Sequence, residues 1–152
     1  LHQDCGVVSP TSYDKNGNLL TPNGVESQDC IEINGNFVLI TKQIFEKVGM
    51  LDPIFPHAIG DYDYGFRCIT NQITCKITSQ VVGYCEENPR LPVWCRPEVK
   101  FLNRMKSLYS PLGNSHPYYY TIYINRHFGL LRAIKNLISI HIRVIFPSLW
   151  KK

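Results

Sequence analysis

Phe128, Leu131, Ile134, Ile138, Ile142 and Ile145 follow one another in steps of three and four, and Pro147 comes just behind them. That spacing predicts one amphipathic helix, roughly from Ile122 to Phe146, ended by the proline. Arg132, Lys135, Ser139 and Arg143 fall elsewhere around its axis. Cations recur too often for a membrane span, so the helix either closes a core or lies on a surface. Its aromatic ends and basic flank suit a helix lying on an anionic membrane. The contacts expected there are Phe128, Arg132, Lys135, Arg143 and Trp150.

Charge placement points the same way. All 12 acidic residues occur up to Glu98, accompanied by only seven Lys and Arg, whereas nine basic residues and no acid follow it. An acidic body is thus joined to a basic tail that meets something anionic, unless the tail is only a solvated basic face. A nucleic-acid role is disfavoured, because Tyr118, Tyr119 and Tyr120 lie outside the densest basic stretch and no binding motif is recognised.

With 152 residues, 44% hydrophobic and 18% charged, the chain can bury an ordinary core. No transmembrane span is expected, and no signal peptide precedes Cys5. The opening at Leu1 reads as the start of a piece of something longer. The cysteines are Cys5, Cys30, Cys68, Cys75, Cys85 and Cys95. None of their spacings makes a zinc half-site, so reduced thiols in a cytoplasmic protein are expected.

Along the body, Gly6 to Pro10 and Phe37 to Ile40 read as strands, the second suited to burial on both faces. Lys15-Asn16-Gly17-Asn18 is a turn signal. Thr41 can cap a helix over Lys42 to Val48 that Gly49 terminates. Two prolines make Met50 to His57 a loop, pinned by Leu51 and Phe55. Asp61 opens a second helix in which Asp63 and Arg67 form an i, i+4 pair. Thr74 to Thr78 and Val81 to Tyr84 read as two short strands, and Glu98 to Leu108 as a helix before the turn Ser110-Pro111-Leu112-Gly113. The fold class is α/β.

Three linked segments carry a family likeness: Gly35 to Ile40, Phe45 to Asp52, and Gly60-Asp61-Tyr62-Asp63-Tyr64-Gly65-Phe66-Arg67. Their order and spacing resemble the acceptor-side half of a family 2 glycosyltransferase with the Rossmann-like GT-A fold. Ser110 to Gly113, Tyr118 to Tyr120 and Arg126 to Leu131 resemble the closing segment of a bacterial surface-polysaccharide, rhamnosyltransferase-like subgroup. The resemblance implies a partial GT-A domain over residues 1–97, lacking its nucleotide-binding half. A basic helical extension with the amphipathic helix would occupy residues 98–152.

It also implies an inverting transfer of sugar from a nucleotide sugar to a glycan or polyprenyl-linked hydroxyl, at the inner face of the cell membrane. Asp61 matches the catalytic base, which must take the proton of the attacking hydroxyl. At a helix N-terminus its ionised form would be favoured; the plainer role is an N-cap. Gly35, Asn36, His57, Gly60, Asp63 and Arg67 are the expected acceptor contacts. Asp63 sits about 200° around the helix from Asp61, which disfavours a paired-carboxylate glycosidase and makes an ion pair with Arg67 its default role. Gly60 stands where many relatives carry Glu, and no His occupies the position near Tyr84-Cys85-Glu86-Glu87 where relatives often have one. A divalent cation, Mg or Mn, is implied for the full-length enzyme, with its ligands mostly in the missing half; no metal ligand is expected here. The other reading is a noncatalytic carbohydrate- or membrane-binding remnant.

Overall fold

The computed structural model describes residues 7–13, 33, 37–84, 91–113 and 115–150, with only the backbone described at 7–13 and 77–84. Helix predominates. The elements are β1 (Val7–Tyr13), β2 (Leu39–Ile40), α1 (Lys42–Val48), α2 (Gly60–Thr70), β3 (Cys75–Tyr84), α3 (Phe101–Leu108), α4 (Pro117–Phe128) and α5 (Leu130–Ile145), with 3-10 turns at Val93–Cys95 and Pro147–Leu149. The chain divides into two compact units. The first comprises Leu1–Asp52 and Gly60–Glu87, the second Pro53–Ile59 and Asn88–Lys152. The boundary expected after residue 97 therefore falls inside the second unit, beyond the Val93–Cys95 turn that packs on α3.

In the first unit three strands form one mixed sheet in the order β2-β1-β3, with β1 antiparallel to β2 and parallel to β3. Parallel pairing demands a crossover, and the chain between β1 and β3 contains α1 and α2. The two short strands expected near residue 80 are one strand, whose pairing with β1 shifts register between Ser9 and Thr11 and again between Thr11 and Ser12. This mixture is α/β in the coarse sense only; three strands and two helices do not by themselves make a Rossmann-like GT-A domain.

The local signals of α1 hold. Ile44 N–H donates to Thr41 Oγ1 at 3.4 Å, and Gly49, at φ 83°, donates its N–H to Phe45 O at 2.8 Å. Only Gly adopts that backbone without strain. Two expectations fail nearby. Phe37 and Leu39 are exposed while Val38 and Ile40 face the core, because β2 is an edge strand with alternating sides. Leu51 is exposed too, leaving Phe55 as the buried residue of that loop. The core of this unit gathers Ile33, Tyr64, Cys68, Ile73 and Cys75.

The second unit packs around Trp94, Cys95, Leu108, Ile140 and Val144. Arg104, buried in α3, fastens α5 to it. Its guanidinium donates to Val99 O, to Val144 O at 2.9 Å and to Ile145 O at 3.4 Å. The last two are carbonyls of the final turn of α5, which lack partners inside their own helix, and a cation there also complements the helix dipole. His141 Nδ1 donates to Leu137 O at 2.7 Å, and Nε2 is hydrogen-bonded with the Tyr109 hydroxyl at 2.7 Å. The single terminal helix expected from the periodicity is two helices. Gly129, at φ 88°, breaks it into α4 and α5, and α4 starts earlier, with Pro117 in its first turn.

Candidate functional site

Helix α2 carries most of the expected site residues. It follows two consecutive residues in the left-handed region, Ala58 at φ 50° and Ile59 at φ 41°. A β-branched residue rarely adopts this backbone, and each such residue costs about 1–3 kcal/mol, so the surrounding packing must hold it. Ile59 is buried, and within the same unit the Arg126 guanidinium covers the Phe55 ring at 5.5 Å. Strain of this kind gathers at functional sites. Neither residue stood out in the sequence, because Ala and Ile carry no turn signal.

Gly60, buried, begins α2, so Asp61 is one residue inside the helix rather than its N-cap. Its side chain nonetheless serves the helix end: Tyr62 N–H donates to Asp61 Oδ1 at 2.9 Å. This satisfies one of the first-turn donors that have no intrahelical acceptor. Asp61 is half-buried and so retains contact with solvent.

Asp63 goes the other way. It has 0% exposure, and Arg67 Nε donates to its Oδ2 at 2.9 Å. The same guanidinium donates to Val48 O at 2.9 Å and Met50 O at 2.8 Å, tying α2 to the end of α1. Asp63 and Arg67, grouped above with the acceptor contacts, thus form a brace in which Asp63 shows no surface to a sugar. The two carboxylates of one helical turn diverge as the 200° argument requires.

Tyr64 packs behind them, with Arg67 over its ring at 4.9 Å. Its hydroxyl is buried with no hydrogen-bond partner among the described residues. Burial, then the Cys68 thiol, push the Tyr64 pKa above its ordinary value. Cys68 is shifted down, chiefly by a hydrogen bond with Cys75.

His57 is exposed on the Pro53–Ile59 loop, in the second unit, whereas Asp61 belongs to the first. Gly35 and Asn36 lie outside the described residues, as do the turn at residues 15–18 and Cys5, Cys30 and Cys85. Among the described residues no group of three His, Cys, Asp or Glu could hold a metal ion.

The expected membrane contacts separate into two sets. Arg132 and Lys135 are exposed. Trp150 is half-buried and packs against the core of its unit, edge-on to Trp94 at 5.0 Å, and Arg143 stacks over it at 4.7 Å. Phe128 is half-buried against Tyr123, with ring centres 6.0 Å apart. Trp150 and Phe128 are thus each half-buried in packing within their unit. Among the described residues no helix is long and apolar enough to cross a membrane. No protein-family model, curated protein or solved structure matches the chain.

Proposed function

We propose that this chain is the acceptor-side part of an inverting glycosyltransferase of the GT-A type, with Asp61 as general base. The observation that supports the reading best is the half-exposed Asp61 carboxylate, carried on the first turn of α2 directly after the strained Ala58-Ile59 pair. A positioned carboxylate is what the attack of a neutral hydroxyl needs. The acceptor oxygen forms its bond to the anomeric carbon as the bond to the nucleoside diphosphate breaks, and the hydroxyl proton passes to Asp61. Asp63 keeps α2 in place through Arg67 and, with no exposed surface, does not meet the acceptor.

Under this reading the nucleotide-sugar donor is bound by a GT-A half that these 152 residues do not contain. A Mg or Mn ion, when bound there, would neutralise the departing diphosphate. Among the described residues no group of three His, Cys, Asp or Glu could hold it. The acceptor is a glycan or a polyprenyl-linked sugar, and the enzyme works peripherally at the inner face of the cell membrane.

The test is Asp61→Asn in the full-length enzyme, with transfer from a panel of nucleotide sugars. Loss of a general base lowers kcat by roughly 100-fold or more. The donor KM is expected to stay near that of the wild type. Near-normal turnover reduces Asp61 to a helix-end acceptor and leaves a noncatalytic binding role.

A further inference from the structure

Helix α5 has two apolar faces, and only one is used. Ala133, at 0% exposure, and Ile140, at 6%, pack inward together with Val144. Leu131, at 85%, and Ile138, at 55%, point outward with Ile134, Ile142 and Ile145, and Leu149 extends this surface beyond the helix. A row of i, i+4 residues, Lys135, Ser139 and Arg143, runs along its border. Between the row and the stripe lies an open groove of about 430 Å³, lined by Lys135, Ile138, Ser139, Ile142, Arg143 and Leu149.

We propose that this outward face of α5 docks onto an anionic phospholipid bilayer, the isoleucines entering the acyl boundary and the Lys135–Arg143 row meeting headgroup phosphates. The proposal deepens the peripheral membrane placement of the proposed function, and it needs no catalytic role for the chain. Three observations choose this occupant. First, the border of the stripe carries cations alone, Lys135 and Arg143, and no acid follows Glu98 in the chain, which suits an anionic plane. Second, the stripe from Leu131 to Ile145 is roughly 21 Å long at 1.5 Å per residue, too short for the hydrocarbon core of about 30 Å but the right form for a helix lying in its interface. Third, the stripe is bordered by cations, which meet their complement in headgroup phosphates. An antiparallel pairing of two copies through this stripe would instead bring their basic rows together.

Arg143 faces this border while its guanidinium stacks on Trp150, so Lys135 is the cation whose removal leaves the core untouched.

The experiment is flotation of the full chain with vesicles of phosphatidylcholine alone, or with about one third phosphatidylglycerol, at about 0.1 M and 0.5 M salt. The wild-type chain is expected to float with the anionic vesicles at low salt and to lose much of that binding at high salt. Ile138→Ser with Ile142→Ser, both exposed, should lower partition roughly tenfold or more. Lys135→Glu should lower it by about tenfold on anionic vesicles only. Leu102→Ser, an exposed position on α3, is the control and should float like the wild type. Unfolding midpoints of all variants are read alongside, to confirm that each is folded. Three results overturn the proposal, the first two being a wild-type chain that stays at the bottom with every vesicle and a double variant that floats unchanged. A third is a wild-type oligomer without lipid that the double variant dissociates, which assigns the stripe to a second copy of the chain.

Discussion

Helix α2 puts a carboxylate inside its unit, and helix α5 puts isoleucines outside its own. Each departs from the rule that charge faces water and hydrocarbon faces core, and the departures have different causes. Asp63 is tolerated inside because Arg67 reaches it at 2.9 Å and is itself anchored by bonds to two carbonyls, so the buried carboxylate meets a cation held in place. The isoleucines of α5 are tolerated outside because Ala133, Ile140 and Val144 already fix that helix to its core. Burial of the second face is therefore free to serve something other than folding. One departure is structural, and the other is the face proposed to dock on lipid.

The sharpest way to break the comparison is to remove the brace. Asp63→Ala leaves a largely buried guanidinium without its carboxylate, and breaking a buried pair from one side costs about 3–5 kcal/mol. Chemical denaturation of the chain should read that loss; a cost below 1 kcal/mol would mean that Arg67 is held by the carbonyls alone.

The next test sets two isoleucines of α5 against each other. Ile140→Ala opens a cavity and should cost about 2–5 kcal/mol, whereas Ile138→Ala should stay within about 0.5 kcal/mol of the wild type. Equal losses would place the outward stripe in the folding core.

A smaller effect comes from Cys95, which lies in the core that α5 closes. Burial, partly offset by Arg143 and Arg96, pushes its thiol up to about 11 from an ordinary 9. The folded state therefore holds this proton more tightly than the unfolded chain. The stability it contributes is complete below pH 9 and is lost as the pH rises from about 9 to about 11. Cys95→Ala should flatten that part of the stability profile, and an unchanged slope would contradict the burial argument.

What could be read beforehand follows from how local each cause is. The cap at Thr41, the terminator Gly49 and the Asp63–Arg67 pair are set by residues within four positions, and each is present. The steps of three and four toward Ile145 correctly singled out an apolar face. Periodicity cannot say which of two apolar faces a core will cover, because that depends on α3 and the Trp94 turn. Trp150 was read as an anchor for the same reason. Its partner Trp94 lies far away along the chain, and no spacing rule connects them. Gly129 also passed unnoticed, since a break there shifts the helix axis without disturbing the apolar count. Within the candidate site, the two acids were legible as a divergent pair, but the strain at Ala58 and Ile59 was not.

The central claim is that the two acids of α2 have separate duties, Asp61 in chemistry and Asp63 in structure. The most direct measurement is turnover per folded molecule for Asp61→Asn and Asp63→Asn side by side in the full-length enzyme, with unfolding midpoints recorded on the same samples. The expected result is a loss of roughly 100-fold or more for Asp61→Asn at a near wild-type midpoint, with the lowered midpoint belonging to Asp63→Asn. An Asp61→Asn enzyme within tenfold of normal turnover contradicts the account, as does an Asp63→Asn enzyme that is inactive while fully stable.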